Sequence, residues 1–259
     1  MRGSAQAGPK WERRGSQPVQ WRGRAERQGT GYHARVIRGL TLALPKGRIA
    51  EQALPLFERA GIEITDAVAG AGRRLMVDLP QGGRALLVKP TDVPTYVEHG
   101  IADVGIAGRD TLEEQGRDHY EPVDLGVAAC RLVVAQPGER PARLRRGMVL
   151  RVATKYPRLT QRHYLERGIS PEIIPLYGSV ELGAITGLAD QIVDLVESGE
   201  TLRQNGLVEV ETIMHVTSRL IVHPASLKLE PEAISRLIEA IRAACNGLDT
   251  DTRKAAAAS

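Results

Sequence analysis

Several features that define other protein classes are missing from this sequence of 259 residues. No apolar run approaches the roughly 20 residues that a membrane-spanning helix needs, and no secretory signal opens the chain. The two cysteines, Cys130 and Cys245, form no CxxC pair and have no histidine at metal-ligand spacing. We therefore expect a soluble protein of a reducing compartment, the cytoplasm, with no membrane partner. Because Cys130 lies in the apolar run 127–134, we expect a buried thiol there.

Positive charge is concentrated at the amino terminus. The net charge is +4, but residues 1–38 hold nine Lys and Arg against two Glu, so the rest of the chain sums to −3. Residues 1–35 have almost no aliphatic side chains and are predicted to be a disordered basic extension, translated upstream sequence or an expression remnant. An interaction arm is the alternative, although no repeated RNA-binding pattern is present and we expect no nucleic-acid partner.

Short β-rich runs alternate with amphipathic helical patterns from residue 36 onward. Residues 36–44 predict a strand, and the spacing of Ile49, Ala53, Phe57 and Ala60 predicts a helix that Pro55 should kink or shorten. The alternation predicts an α/β fold with mostly parallel sheet. Asp92 is expected to cap a short helix. The last amphipathic pattern ends near Asn246, and residues 248–259 are expected to be a loose tail.

Two long apolar runs, at 124–136 and 208–224, suggest a division of the chain. We predict that they are crossovers between two α/β lobes, outward near 128–135 and back near 215–222. The first lobe then comprises 36–130 and 220–247, and the second comprises 131–219. Ligands of such folds lie in the central cleft, at strand carboxyl ends and helix amino termini.

The segment "DLVESGETL", 194–202, follows a predicted buried strand and opens a predicted helix. Ser198, Gly199 and Thr201 fit an ordinary turn, because all three residue types are common in turns. They equally fit a phosphate cradle, in which backbone N–H groups, a helix dipole and hydroxyls converge on one point. In that case Asp194 could hold ribose hydroxyls or, through water, Mg²⁺. Spacing alone leaves both interpretations open.

Several motifs carry a family resemblance. "ELGAITGLADQIVDLVESGETL" (181–202) resembles the signature of the ATP phosphoribosyltransferases, the first enzymes of histidine biosynthesis. "LALPKGR" (42–48), "DVPTYVEHGIADVGIAGRDTL" (92–112), "LYGSVE" (176–181) and "SRLIV" (218–222) are also similar to that family. The resemblance runs in order from about Leu40 to Asn246. It implies two α/β lobes around a central cleft, periplasmic-binding-protein-like (type II), and it favours the phosphate cradle.

The resemblance also implies a set of site residues. The 5-phosphate and ribose of phosphoribosyl pyrophosphate are expected at Asp194, Val196, Glu197, Ser198, Gly199, Glu200 and Thr201. ATP is expected at Lys46, Gly47, Arg48, Asp92 and Glu181, although two cations in a loop also fit a solvated surface. Arg73, in the "RRL" segment, and Lys89 are the expected catalytic cations, with Arg74 as an alternative. Relatives often have arginine at position 89, and lysine cannot stack or fork as arginine does.

The implied reaction is displacement at C1 of the ribose by N1 of the ATP adenine, with loss of pyrophosphate. It needs no protein nucleophile, and the sequence contains no persuasive Ser-His-Asp or Cys-His set. Catalysis should rest on positioning and on charge neutralisation by Lys, Arg and Mg²⁺ carried by the substrate. A two-lobed solute-binding protein is the competing class.

The resemblance is to the short-form catalytic subunit, because only "GLDTDTRKAAAAS" follows the last predicted helix. Long-form relatives continue into a domain that binds histidine. We therefore expect a homodimer or larger assembly, and a hetero-oligomer with a regulatory subunit similar to histidyl-tRNA synthetase.

Overall fold

The structure, a computed structural model, describes residues 37–139 and 149–257, with side chains described as far as Gly247. The predicted disordered extension, 1–35, lies outside the described residues. Two sheets with their helices form two α/β lobes, as the sequence pattern predicted.

The chain begins in the first lobe, with its elements in the order β1 (Thr41–Pro45), α1 (Arg48–Arg59), α2 (Thr65–Ala69), β2 (Met76–Asp78), β3 (Arg84–Val88), a 3-10 helix (Pro90–Asp92), α3 (Val93–Glu98), β4 (Val104–Gly108), α4 (Arg109–Gln115) and β5 (Tyr120–Asp124). The second lobe contains β6 (Cys130–Pro137), β7 (Arg151–Thr154), α5 (Pro157–Leu165), β8 (Glu172–Pro175), α6 (Glu181–Ile185), β9 (Gln191–Val196), α7 (Glu200–Gln204) and β10 (Leu207–Val216). The chain then returns to the first lobe with β11 (Ser218–Val222), α8 (Pro224–Leu229) and α9 (Pro231–Ala257).

Both sheets are mixed. In the first, of order β2-β3-β1-β4-β11-β5, β1 pairs in parallel with β3 and β4, and the other described pairs are antiparallel. In the second, of order β10-β6-β9-β7-β8, β7 is parallel to β8 and β9, whereas β6 is antiparallel to both neighbours. The prediction of mostly parallel sheet is wrong, because β6 and β11 each follow a strand of the other lobe and not a helical crossover.

The chain crosses between the lobes at two adjacent segments. Residues 125–129 connect β5 to β6, and Thr217 connects β10 to β11. The Leu125 N–H donates to the Ser218 carbonyl at 2.9 Å, and the Ser218 N–H donates to the Val127 carbonyl at 3.0 Å. Each long apolar run is therefore divided between the two sheets. These crossings lie close to the predicted lobe boundaries at 130 and 220, which stay a prediction.

The helices of the first lobe differ from expectation at two points. Helix α1 passes through Pro55 and is not shortened there, since Ala53, Leu54 and Phe57 are buried along it. That burial outweighs the one backbone hydrogen bond that proline removes. Helix α3 begins after Asp92, but the Asp92 side chain makes no capping hydrogen bond and instead accepts one from Thr91.

The last helix is longer than the sequence pattern predicted. Helix α9 continues past Asn246 to Ala257, so the segment that we expected to be a loose tail is helical as far as that residue. Its alanine-rich end explains this, because alanine has the most favourable helix propensity. No helix within the described ranges combines the length and the apolarity that crossing a membrane requires.

Candidate active site

Two adjoining cavities lie in the cleft between the lobes. The first has a volume of about 470 Å³, and residues of both lobes line it. The second, of about 440 Å³, is formed largely by the segment that follows β9. Arg48, Cys130 and Leu195 line both cavities, so the two adjoin at these three residues.

The second cavity is built from the loop between β9 and α7. Its lining includes every residue that we expected to hold phosphoribosyl pyrophosphate, Asp194, Val196 and 197–201. Gly199 has φ +77°, a left-handed conformation that strains other residues, and it turns the chain into α7. Helix α7 has 5 residues, the same length as the helix that the sequence predicted at 201–205, and so short a helix has only a weak dipole.

Asp194 is held at the edge of this cavity by a lysine that the sequence analysis missed. Its Oδ1 lies 3.0 Å from Lys155 Nζ and accepts a hydrogen bond from the Leu195 N–H at 2.7 Å. Lys155 also lies over the Tyr156 ring, with Nζ 5.4 Å from the ring centroid. A cation therefore stands between the two cavities, on the side of the second lobe.

Arg48 joins the lobes from the opposite side of the cleft. As the first residue of α1 it forms an ion pair with Glu197, in the loop between β9 and α7. Its Nη2 also donates to the Ala128 carbonyl at 3.0 Å, and the Ala128 N–H donates to Gln52 at 2.8 Å. Ala128 has φ +54°, a conformation that is strained for alanine. One guanidinium thus contacts both the crossing segment and the loop.

The remaining expected ATP contacts are only partly brought together. Glu181, the first residue of α6, lines the second cavity. Lys46 and Gly47 precede Arg48 and are exposed, and neither lines either of these two cavities; the same is true of Asp92. Lys46 donates its backbone N–H to Val88 at 3.0 Å, which fixes the turn and leaves the side chain free to move.

The expected catalytic cations lie outside both cavities. Arg73 is exposed in the turn between α2 and β2. Arg74 donates to the carbonyls of Ala71 at 3.2 Å and Gly70 at 2.9 Å, so it caps the end of α2. Lys89 is exposed immediately before Pro90, which lines the first cavity. The catalytic roles of Arg73 and Lys89 stay predictions.

The back of the first cavity contains a buried carboxylate that the sequence analysis did not assign. Asp110, in the first turn of α4, accepts a hydrogen bond from the Tyr156 hydroxyl of the other lobe at 2.7 Å. Each residue is only 7% exposed. Burial, and then the Asp110 carboxylate, raise the pKa of the Tyr156 phenol, so it remains a hydrogen-bond donor.

A second carboxylate of α4 reaches across the cleft. Glu114 accepts hydrogen bonds from the backbone N–H groups of Arg158 and Leu159, both at 2.9 Å. These are among the amide groups that a helix leaves unpaired in its first turn, so a residue of one lobe caps α5 of the other. Glu113 lies 3.3 Å from Arg162 on the same side.

Cys130 is not the buried thiol that its apolar neighbours predicted. It is partly exposed, and it lines both cavities. Burial, and then Asp110, raise the pKa of the thiol, so a reactive thiolate is disfavoured. It therefore contributes surface to the cleft and not a nucleophile.

Similarity to known proteins decides the family. A model described as "HisG: ATP phosphoribosyltransferase" matches residues 89–243. The ATP phosphoribosyltransferase of Syntrophotalea carbinolica is 52% identical over 203 residues, which are 77% of this chain and 92% of that protein. That of Halorhodospira halophila is 51% identical over 215 residues, covering 82% of this chain and 99% of the relative. The chain belongs to the ATP phosphoribosyltransferase family.

A solved structure agrees with this ATP phosphoribosyltransferase fold. One chain of the "ATP phosphoribosyl transferase (HisG:HisZ) complex from Thermotoga maritima" superposes with a TM-score of 0.69 at 33% identity, over 80% of this chain and 99% of that one. The present chain is thus a transferase of histidine biosynthesis, which joins a phosphoribosyl group to ATP in the first step of the pathway. The resemblance that the sequence motifs carried is confirmed, and the solute-binding alternative is excluded.

Proposed function

We propose that the second cavity of this ATP phosphoribosyltransferase binds phosphoribosyl pyrophosphate by its 5-phosphate. The observation that carries the proposal is that residues 197–201 line the second cavity together, beside the first cavity, which is large enough for a base. Backbone N–H groups around Gly199 and the hydroxyls of Ser198 and Thr201 supply the donors that a phosphate requires. Asp194 and Glu197 are acceptors suited to the ribose hydroxyls.

The acceptor ATP is assigned to the first cavity. Ile49, Tyr177 and Leu195 offer an apolar wall to the adenine, as nucleotide pockets commonly do. The triphosphate then extends toward Lys46, Gly47 and Arg48 at the start of α1. Asp92 and Glu181 complete the proposed ATP set, on the two lobes.

The proposed chemistry is a direct displacement. The lone pair of adenine N1 forms a bond to C1 of the ribose, while the bond from C1 to the pyrophosphate oxygen breaks and its electron pair leaves on pyrophosphate. Holding the two substrates in adjoining cavities supplies the positioning for this step. Arg48 and Lys155, which line the cleft, oppose the negative charge that grows on the leaving group.

Arg73 and Lys89 are proposed to assist at the same leaving group. Lys89 directly precedes two residues of the first cavity, Pro90 and Thr91, and this proximity in the chain supports its role. Arg73 lies farther along the same lobe edge, in the connection to β2. Its role requires a different position of that connection when both substrates are bound.

Mg²⁺ is proposed as the cofactor. Within the described residues no group of three or more His, Cys, Asp or Glu is arranged to hold a metal, and Asp194 offers one carboxylate in the second cavity. A single carboxylate fits a Mg²⁺ ion that is carried by substrate phosphates, because one or two protein carboxylates commonly complete the coordination of such an ion. Bound there, Mg²⁺ would supply charge neutralisation at the pyrophosphate.

A product assay tests the proposed reaction. The purified full chain is mixed with ATP, phosphoribosyl pyrophosphate and Mg²⁺, and the nucleotides are analysed by mass spectrometry. We expect an ATP adduct heavier by one phosphoribosyl group, with stoichiometric pyrophosphate, and no adduct when either substrate is omitted. Binding of a nucleotide with no adduct, under conditions in which a known family enzyme turns over, would contradict the proposal.

The assembly is proposed to be hetero-oligomeric. The Thermotoga maritima relative is described as part of a HisG:HisZ complex, and the present chain covers 99% of the relative's chain. We infer a cytoplasmic catalytic subunit that forms at least a homodimer and binds a separate regulatory subunit. Titrating activity with histidine, with and without that subunit, tests this. Inhibition only in the mixed assembly supports it, and strong inhibition of the lone chain contradicts it.

A further inference from the structure

The back wall of the first cavity is built around one carboxylate. Gly108 ends β4, and a Cβ added there would lie 2.2 Å from Asp110 Oδ1, so only glycine allows the carboxylate to fold back over the strand end. Asp110 Oδ2 is bonded to Tyr156 at 2.7 Å. Oδ1 accepts no hydrogen bond from the described residues and belongs to a side chain that lines the cavity.

A second polar group at this wall also has no partner. Ser218 pairs in register with Gly108 on the neighbouring strand and is 1% exposed. Its Oγ makes no hydrogen bond to any described residue, although the residue lines the same cavity. Buried polar groups are nearly always hydrogen-bonded, so the unpaired Ser218 hydroxyl indicates a missing polar partner, and the acceptor Asp110 Oδ1 belongs to the lining of the same cavity.

We propose that Asp110 is a specificity-determining catalytic residue, which accepts the exocyclic N–H of the acceptor purine, and that Tyr156 positions it. This deepens the proposed function and rests on the assignment of ATP to the first cavity. A 6-amino group is a donor, and a carboxylate is an acceptor without a proton to offer, so the pair selects a 6-amino purine over a purine without that group. Ser218 Oγ lies at the same wall as a supplementary donor or acceptor.

The chemistry gives the carboxylate a role beyond recognition. When N1 bonds to C1 of the ribose and pyrophosphate leaves with the electron pair, the purine gains one positive charge. That charge is shared by N1, C6 and the exocyclic nitrogen. A carboxylate against this nitrogen is attracted more strongly to the charged product-like state than to neutral ATP. Asp110 therefore lowers the barrier as well as the dissociation constant.

A purely structural role makes a different prediction. If the hydrogen bond from Tyr156 to Asp110 only joins the lobes, its loss weakens the binding of every ligand of the cleft by a similar factor. If Asp110 accepts a hydrogen bond from the exocyclic N–H, its loss weakens the binding of ATP and leaves the binding of an analogue without that group almost unchanged. The ratio of the two affinities separates these accounts.

The test measures dissociation constants of ATP and purine riboside 5′-triphosphate, which lacks the amino group, by calorimetry on the full chain. Wild type should prefer ATP by about 10- to 100-fold, the range for one hydrogen bond to a charged group. Asp110→Ala should reduce that ratio to near one, and its kcat with ATP should fall more than its KM rises. Tyr156→Phe should reduce the ratio partly, because the carboxylate keeps its charge but loses its fixed orientation.

Glu114→Gln is the matched control. Glu114 lines the same cavity and also bridges the lobes, but both of its oxygens are bonded to backbone N–H groups. Glu114→Gln should weaken the binding of both triphosphates equally and leave the ratio of their dissociation constants unchanged. If Asp110→Ala keeps the wild-type ratio of dissociation constants, the proposal is overturned. If Tyr156→Phe keeps that ratio, Tyr156 does not position Asp110. Formation of the phosphoribosyl adduct by wild type is measured first, so a failure of the proposed function is recognised separately.

Discussion

The carboxylate of Glu114 in the first lobe accepts a hydrogen bond from the Leu159 N–H in the second lobe at 2.9 Å. This contact makes the amino terminus of α5 depend on the other lobe, because no side chain of its own segment caps the helix. Together with the bond from Tyr156 to Asp110 and the ion pair of Arg48 with Glu197, it holds the cleft in the observed arrangement.

Glu114→Ala should therefore destabilise the protein and loosen the cleft. Loss of a helix cap costs about 1 kcal/mol, and two amide groups lose their acceptor here. Urea denaturation measures the free energy of unfolding. Glu113→Ala is the control, since Glu113 forms only partly exposed ion pairs, with Arg162 at 3.3 Å and with Arg109 at 3.7 Å, and such pairs contribute little. An equal loss of unfolding free energy in both variants would show that the two capping hydrogen bonds of Glu114 add no stability beyond that of an exposed ion pair.

Thr201→Ala and Gly199→Val should weaken binding of phosphoribosyl pyrophosphate. A hydrogen bond lost to a charged group corresponds to roughly 1.5–3 kcal/mol, or one to two decades in affinity. Valine should do worse because of the left-handed φ of +77° at Gly199 and not for lack of space, since an added Cβ would meet Val196 at an ordinary 3.8 Å. Calorimetric titration measures the affinity.

Thr186→Ala provides the comparison for the loop variants. Thr186 follows α6 in the same lobe, donates to the Leu182 carbonyl at 2.7 Å and lines neither cavity. The affinity of Thr186→Ala for phosphoribosyl pyrophosphate should match that of the wild type. If the loop variants also match wild type, the phosphate binds elsewhere.

Arg73→Ala should lower kcat more than it raises KM, because the charge on pyrophosphate grows as the bond to C1 breaks. Lys155→Ala should do the same, since Lys155 already lies in the cleft. Single-turnover kinetics isolate the chemical step from product release. Arg236→Ala, in a surface pair on α9, should leave the step unchanged. An unslowed step in Arg73→Ala makes Arg73 a surface charge only.

Acid should remove the contribution of one ion pair to stability. Hydrogen bonds from the Arg151 side chain lower the pKa of Asp190 below its ordinary value of 3.8. A lowered pKa in the folded state means that this stabilisation is complete above the unfolded value and is lost as pH falls through the folded value. Wild type should exceed Asp190→Asn by about 1 kcal/mol at pH 7, and the difference should shrink as the pH falls below 3.8 toward the lowered pKa of the folded state.

Urea denaturation from pH 3 to 7 measures that difference. The exposed pair of Asp78 with Arg84 gives the control variant, Asp78→Asn, which should lower the free energy of unfolding at pH 7 by less than Asp190→Asn does, since exposed pairs contribute little. A constant difference between wild type and Asp190→Asn across the range would exclude linkage to the Asp190 carboxyl.

The sequence made the cavity lining at 194–201 predictable because its residues are contiguous and lie in a family motif, and their binding of phosphate stays a prediction. Asp110 and Tyr156 could not be paired in this way, since they are 46 residues apart and meet only when the lobes dock. A signal for Asp110 did exist. It follows β4, an inner strand paired in parallel with β1, and the carboxyl ends of such strands commonly carry functional groups.

The mistaken features have local physical causes. The apolar runs at 124–136 and 208–224 contain no residue that marks the change of sheet, so the sequence located the crossings only approximately, near 128–135 and 215–222, where the structure has them at 125–129 and at Thr217. The sequence shows that Pro55 removes one backbone hydrogen bond from α1. The burial of one face of α1, which compensates for that loss, is visible only in the packed lobe.

A crystal structure of the chain with phosphoribosyl pyrophosphate bound tests the central claim most directly. The account predicts the 5-phosphate within hydrogen-bond distance of the backbone N–H groups and hydroxyls of residues 198–201, with C1 of the ribose facing the first cavity. A phosphate bound at Lys46 and Arg48 instead, with the loop at 197–201 unliganded, would contradict it.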